Sequence, residues 1–504
     1  MIAFAIRRRT VAAYVLPSIP ISALGLPLVV HLPAFYAEST GLGVATVGLL
    51  FMVARLWDVV TDPVLGIVSD SVETRWGRRR PWLVASVPVV ALSAWMVFMP
   101  PENVSTLYLM FWMLVLYVGY TLVTLSHLAW GAELSPDYHE RSRIQGWREF
   151  AFIIGMLTVL MIPAMLELGE NLAAPPAQTE DTAAAAASAE EVIHDEGVVV
   201  LERNPIDRTK LAAMGWFIIV LMPLTVFLAV AFAPERRTAR PQKVPWSETW
   251  ALLRGNGALR RVLIIDFLIQ LAPGISGATY IFFIAYYAGQ PVWANVILAF
   301  YFLFAVLGVP VWSRLSYRFG KHRTLAGALF YAAGILPVFF LAPFVPFWAL
   351  ILVNCLYGVA YGAGSFLLRA MMADVCDYDE VHTGQARTGL YFSLLTMTGK
   401  MGHAVAVGLS YLLLGLVGFS TKGGELNTWD AVNGLAAIFV LLPLLSFAIA
   451  GVLCWKFPLD QAEQERLRER LRHQRAEAEA EAEARETGPE GAGRLRTTKD
   501  RPKS

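Results

Sequence analysis

Residues 51–81 read FMVARLWDVVTDPVLGIVSDSVETRWGRRRP. The first half is apolar enough for a bilayer interior, yet it carries Arg55, Asp58 and Asp62. On a helix, Asp58 and Asp62 stand at i and i+4 and share one face, with Arg55 and Thr61 close by. Pro63 has no N–H to give the carbonyl of Val59, so that oxygen is expected to turn to the same side. Two carboxylates, a hydroxyl and a free carbonyl make a hard-oxygen site for Na⁺ or for a proton. The helix then runs into Asp70 and the basic group Arg75, Arg78, Arg79 and Arg80, expected on the cytoplasmic side. The stretch reads as a membrane span with a functional polar face.

The rest of the chain fits that reading. Of 504 residues, 56% are hydrophobic and only 16% charged, against about 25% charged in soluble domains. The protein is therefore an integral membrane protein. Net charge is +1, with the basic residues in short clusters between apolar runs, so nothing points to nucleic acid. Cys355, Cys376 and Cys454 lack metal-ligand spacing and read as small apolar residues. Arg7 to Arg9 precede an apolar run that continues to about Tyr36 without a small-residue cleavage site, so an uncleaved first span is expected.

Apolar stretches of about 20 residues, the length that crosses a bilayer, begin near 15, 43, 82, 106, 146, 211, 259, 291, 323, 347, 388 and 430. That makes twelve spans. Basic residues gather after span two, after span four (Arg141, Arg143), after span six (Arg236, Arg237, Arg240, Lys243) and after span eight (Arg314, Arg318, Lys321, Arg323). The positive-inside rule then puts both termini in the cytoplasm. The expected organisation is five helices over 1–168, an acidic Ala-rich outer loop at 169–209, helix six at 210–233 and a central cytoplasmic loop at 234–258. A second six-helix half follows over 259–456, then a charged cytoplasmic tail over 457–504. The loop reads as weakly ordered, and the tail as a solvated helix that frays.

A repeat links the halves. Pro63-Val64-Leu65-Gly66 followed by Asp70, Arg75, Gly77 and Arg78 to Arg80 has an echo in Pro310-Val311-Trp312 followed by Arg314, Arg318, Gly320, Lys321 and Arg323. Equivalent loops six spans apart imply two six-helix halves of like topology, an all-α membrane protein on the major facilitator plan.

Five segments carry a more specific likeness: RLWDVVTDP (55–63), RWGRRRPW (75–82), YTLVTLSHLAWGAELSPDYHERSR (120–143), MMADVCDYDE (371–380) and TMTGKMG (396–402). Together they resemble the glycoside–pentoside–hexuronide:cation symporters, the family of melibiose-type permeases, across both halves. The most specific piece is Asp-x-x-x-Asp-Pro in span two. The resemblance implies that Asp58 and Asp62 bind the coupling cation, with Thr61 standing where the family often has Asn and Thr121 as the span-four hydroxyl beside it. It also implies that Lys400 is the span-eleven lysine near the cavity, and that Arg148 is a span-five arginine of the sugar site, shifted by a residue. The galactoside clamp is absent. Its two aspartates fall close to Ser22 and at Thr124, and its stacking Trp falls at Leu128. Melibiose itself is thus not the expected substrate.

Other polar residues divide between two readings. Arg148, Arg369 and Lys400 suit an anion-binding cavity, or internal pairs with neighbours such as Glu149 and Asp374. Asp266 is placed to hydrogen-bond a substrate hydroxyl or to neutralise Arg369. Pro273-Gly274-Ile275-Ser276-Gly277 is expected to break span seven, and Tyr280, Tyr286 and Tyr287 line a cavity or anchor at the interface. Among His31, His127 and His403, His127 ranks first as a proton relay, against a packing role for each. Asp374 and Asp377, with Glu380, read as gate locks against basic residues of the opposing half, as Asp70 and Arg78 to Arg80 do from the other side.

No enzyme pattern is present: the chain has no P-loop, no nucleophile elbow and no metal-ligand His cluster. The expected function is Na⁺- or H⁺-coupled symport of a sugar or glycoside, an anionic one such as a uronide favoured, in a bacterial inner membrane. No cofactor beyond the coupling cation, no nucleic acid and no partner subunit is expected. Na⁺-coupled lysophospholipid transport by the same site is the first alternative, and a non-transporting scaffold or sensor the second.

Overall fold

The computed structural model describes residues 7–71, 74–134, 138–173, 198–199, 207–235, 252–384, 387–421, 427–459, 463–467 and 469–470. Most of the acidic loop, the central loop with Arg236, Arg237, Arg240 and Lys243, the tail beyond 470, and the Asp70 and Arg141 side chains lie outside the described residues.

Among the described residues, eleven helical runs are long and apolar enough to cross a membrane, two of them with the extensions given below. They are α4 (Val44–Ser71), α5 (Arg80–Phe98), α6 (Thr106–Glu133), α7 (Tyr138–Ala173), α8 (Arg208–Phe232), α9 (Gly257–Phe282), α10 (Ala294–Phe319), α11 (Lys321–Ile335), α12 (Phe347–Thr383), α13 (Thr388–Leu416) and α14 (Trp429–Trp455). A π-helical segment, Phe283–Tyr287, extends α9, and a 3₁₀ segment, Leu336–Phe344, extends α11. Several helices open on a side-chain cap: Ser105, Asp207, Asn256 and Thr428 each accept from the backbone N–H three residues on.

The remaining span is broken. Expected as one run from about 15 to 36, it begins at Arg8 and divides into α1 (Arg8–Val15), α2 (Ser18–Gly25) and α3 (His31–Ser39). Pro17 and Pro27 stand at the two breaks, where neither has an N–H to continue the ladder. With this run the spans number twelve, as the hydropathy indicated.

Span seven departs from expectation in the opposite sense. Pro273 to Gly277 do not break α9, which stays α-helical to Phe282 and changes register only in the π segment. The glycine here answers a packing need. A Cβ on Gly274 would lie 2.6 Å from the Cβ of Ala406, and one on Gly402 would lie 2.6 Å from the carbonyl oxygen of Phe267. Helices α9 and α13 therefore pack almost backbone to backbone.

The first half comprises α1 to α8 and the second α9 to α14. Between them α4 packs on α13, α7 on α10 and α3 on α9. One end of the bundle carries the basic turn 74–80. There Gly77 has φ +111°, and the Glu235 carboxylate, just past α8, accepts from the backbone N–H groups of Arg78 at 2.5 Å, Arg79 at 2.6 Å and Arg80 at 3.1 Å.

At the opposite end the halves meet directly. His31 Nε2 lies 2.8 Å from Asn295 Oδ1, Thr421 donates to the Ala37 carbonyl at 2.9 Å, and strand β1 (Val198–Val199) pairs antiparallel with β2 (Asn427–Thr428). Gly48 of α4 abuts the Cβ of Tyr411 on α13, leaving no room for a side chain. This end is shut.

Candidate functional site

The acid pair of α4 sits midway along the bundle. Asp58 is fully buried, and Thr121 of α6 donates to its Oδ1. Lys400 Nζ from α13 lies 2.9 Å from Asp58 Oδ2 and 2.5 Å from Asp62 Oδ2. Arg55, one turn before Asp58, comes within 3.6 Å of the same oxygen while its guanidinium stacks 5.3 Å from the Tyr117 ring centroid. The Thr61 hydroxyl donates to the Asp58 carbonyl at 3.2 Å, and Asp62 Oδ1 is buried with no hydrogen-bond partner. Two carboxylates, one ammonium and one guanidinium sum to zero charge, which is how two acids are tolerated at this depth.

Local sequence aims Lys400 at this pair. Gly399 and Gly402 share one face of α13 and admit α9, so close that a Cβ on Gly399 would lie 3.2 Å from Asp266 Oδ2. Lys400 falls on the neighbouring face, toward α4.

Beside the cluster, a cavity of about 240 Å³ opens between the halves. The first half contributes Ser22, Leu26, Val29, Arg55, Tyr120 and Phe152, and the second Ser276, Tyr280, Tyr301, Asn354, Tyr357, Tyr361 and His403. Ser276 and Tyr357 hydroxyls are 3.3 Å apart, Tyr280 donates to the Ala294 carbonyl at 3.1 Å, and His403 Nδ1 is buried without a partner. Such a lining offers aromatic faces with a few fixed hydroxyls and amides, a common design for small polar ligands with an apolar side.

The structure gathers Asp58, Asp62, Thr121 and Lys400 into one cluster, with Arg55 and Ser22 on the cavity wall, whereas the Thr61 hydroxyl is turned back to its own helix at the Asp58 carbonyl. The other expected substrate residues lie outside the lining. Arg148 bonds Gln145 and Glu149, both at 2.8 Å, as its paired reading has it. Asp266 accepts from Thr398 at 2.7 Å, Arg369 is exposed, and Thr124 stands a turn beyond Thr121 on α6. Asp374 grips Lys321 of its own half at 2.6 Å. Asp377 stands nearby on α12, half-buried.

Among the histidines, His127 is a packing residue. Its Nε2 bonds the Tyr14 carbonyl at 2.7 Å, Tyr14 bonds back to the His127 carbonyl, and the rings stack at 4.5 Å. His403 is the one that reaches the cavity. Sequence reasoning missed Tyr120, Tyr301, Asn354, Tyr357 and Tyr361. The spacing of Tyr357 and Tyr361, one turn apart in an apolar run, was the available signal.

A family profile described as MFS/sugar transport protein matches residues 13–461. The isoprimeverose transporter of Lactiplantibacillus pentosus is 25% identical over 457 residues, covering 87% of this chain and 86% of its own. The sodium-dependent lysophosphatidylcholine symporter 1 of Gallus gallus is 24% identical over 470 residues, covering 90% and 86% respectively. The solved D-xylose–proton symporter shares the fold, with TM-score 0.58 at 12% identity over 90% of this chain and 98% of its own.

Proposed function

The chain belongs to the MFS/sugar transport protein family, and from that premise we propose that it is a cation-coupled symporter of a sugar or glycoside. The observation that carries the reading is the Asp58–Lys400–Asp62 cluster with Thr121, set beside a cavity between the halves. In this state Lys400 serves as the cation of the site. Asp58, Asp62 with its unpartnered Oδ1, and the Thr121 hydroxyl form an oxygen set that suits Na⁺, and a proton on either acid serves the same balance. A bound cation supplies positive charge to the carboxylates. Lys400 then leaves them and turns its ammonium toward the cavity, where a polar substrate accepts from it. Cation and substrate thus favour each other, the reciprocity that coupling requires.

The cavity wall bears on the substrate. Its aromatic faces suit the apolar face of a sugar ring, and Ser276, Asn354 and Tyr357 suit its hydroxyls. An anionic group such as a uronide carboxylate would rest on Arg55 and the released Lys400, since Arg148 is held by Glu149. A second reading, lysophospholipid transport, draws on the apolar side of the same cavity, Leu26, Val29, Val30, Met156, Phe302 and Phe439. Residence in a bacterial-type inner membrane as a monomer, with the basic end cytoplasmic, completes the proposal.

A thermal-shift screen against neutral glycosides, uronides and lysolipids, with and without Na⁺ at two pH values, separates the readings. Stabilisation by one class that grows with Na⁺ and is lost in Asp62→Asn supports symport and names the substrate. Binding that ignores both Na⁺ and the substitution removes the coupling site.

A further inference from the structure

At the shut end of the bundle, α3 buries a carboxylate that the transport cluster does not use. Glu38 is only 6% exposed, and both of its carboxylate oxygens are buried without a hydrogen-bond partner. Tyr286 of the π segment and Tyr411 of α13, both buried and both on the other half, are its electrostatic neighbours, and among the described residues the Tyr411 hydroxyl is itself buried and unpartnered.

Among the described residues, the cation that bears on α3 is Arg208, at the start of α8, which acts on Tyr36 and donates to the carbonyls of Pro100 and Pro101; none is paired with Glu38. The facing turns of α4, Val44 to Phe51, hold no ionisable side chain. On the α9 side, Tyr280 and Tyr287 already donate to the carbonyls of Ala294 and Phe340. On α3 itself, Tyr36 donates to the Val97 carbonyl, and His31 is engaged with Asn295. Lys422 and Glu425, in the connection after α13, lie outside the described residues, and among the described residues Glu38 has neither an ion pair nor a hydrogen bond.

A bare carboxylate in such a place is too costly to keep its charge. The halves meet beside it, through Thr421 on the adjacent Ala37, β1 on β2, and Tyr411 on Gly48, so parting them here brings water to Glu38.

We propose that Glu38 is a proton-binding gate residue, protonated while this end is shut and ionised when it opens to water. On opening, the Glu38 O–H bond breaks and its proton passes to water at the mouth; closure takes one proton back. Higher pH on this side therefore favours the open form. The inference needs only the parting of the halves contained in the proposed function, and neither its substrate nor its coupling cation.

The test is the labelling rate of Ala37→Cys, buried at this end, by a bulky hydrophilic maleimide in purified protein, normalised at each pH to the denatured chain. A variant without the reporter corrects for Cys355, Cys376 and Cys454. The expected rate rises with pH, by up to about tenfold per unit where one proton is linked. It becomes low and flat in Glu38→Gln, and sloped again in Glu38→Asp. The slope survives in Asp62→Asn, which disables the proposed cation site. A flat profile with Glu38 present, an unchanged slope in Glu38→Gln, or a slope lost in Asp62→Asn each overturns the proposal. Should Glu38→Gln fail to fold, a pH dye on protein locked shut by a Val198→Cys/Thr428→Cys disulfide decides, at a pH where Ala37→Cys labelling shows the unlocked protein open: uptake of about one proton beyond the proton change of the same thiol oxidation in the denatured chain supports it, and no excess overturns it.

Discussion

Lys400 concentrates the chemistry of the molecule in one side chain. Its ammonium is 2.9 Å from one buried carboxylate and 2.5 Å from the other. Removing one partner from a buried ion pair typically costs roughly 3–5 kcal/mol, because the remaining charge is left uncompensated. Lys400→Met is expected to lower the thermal midpoint in K⁺ buffer at pH 8, and Na⁺ is expected to restore part of the loss by taking the vacated place. The parent protein should respond less to Na⁺, since Lys400 competes with it. A Lys400→Met midpoint indifferent to Na⁺ would show that the oxygens do not form a cation site. The members of this cluster were conspicuous in the sequence because charges inside apolar runs are rare, but Lys400 was expected to face a substrate and not to pair with Asp58 and Asp62. The cavity wall was not. Tyr301, Tyr357 and Tyr361 resemble any aromatic residues of membrane helices, and Arg148 beside Glu149 gave no sign of whether it would face a ligand or its neighbour.

At the scale of elements, the approximate starts of the spans followed from hydropathy, whereas irregularities did not. A Pro-Gly cluster in span seven looks like a hinge when only local propensity is considered. Its glycine is required because α13 comes so close, a tertiary reason that no local pattern displays. The start of α5 shows a similar long-range dependence. Its first N–H groups have no helical acceptors, and Glu235, about 155 residues away in the chain, supplies the oxygens for Arg78, Arg79 and Arg80. Gly77 permits this because a Cβ there would lie 2.2 Å from Glu235 Oε2. The basic turn thus works through its backbone as well as its guanidinium groups. Glu235→Ala should destabilise by about 1–3 kcal/mol, the cost of unmet donors, and Glu235→Gln by less, because its amide oxygen still accepts. Chemical denaturation of the two variants checks the order. If both match the parent, the carboxylate is not what fastens α8 to α5.

For the whole molecule, the contacts between halves determine what it must do to work. Hydrogen bonds His31–Asn295 and Thr421–Ala37 and the β1–β2 pair all hold one end shut, while the cavity lies between the same two halves. A substrate reaching that cavity from the shut side needs each of these contacts to break. Few of them are strong: two hydrogen bonds and a two-residue ladder are of the order of 1 kcal/mol each, small enough for ligands to reverse. A covalent bond would not be reversible in this way. Val198 and Thr428 are direct antiparallel partners, a relation that puts Cα atoms about 4.5–5.5 Å apart, within the range of a disulfide. Val198→Cys/Thr428→Cys should therefore cross-link under mild oxidation and stop uptake into proteoliposomes. Reductant should restore uptake, and either single variant should transport under both conditions. Substrate binding from the basic end, measured in detergent, should survive the cross-link, because that end needs no contact at the shut one to break. Uptake that continues with the disulfide formed would mean that the halves do not part here, and the path into the cavity would have to lie elsewhere.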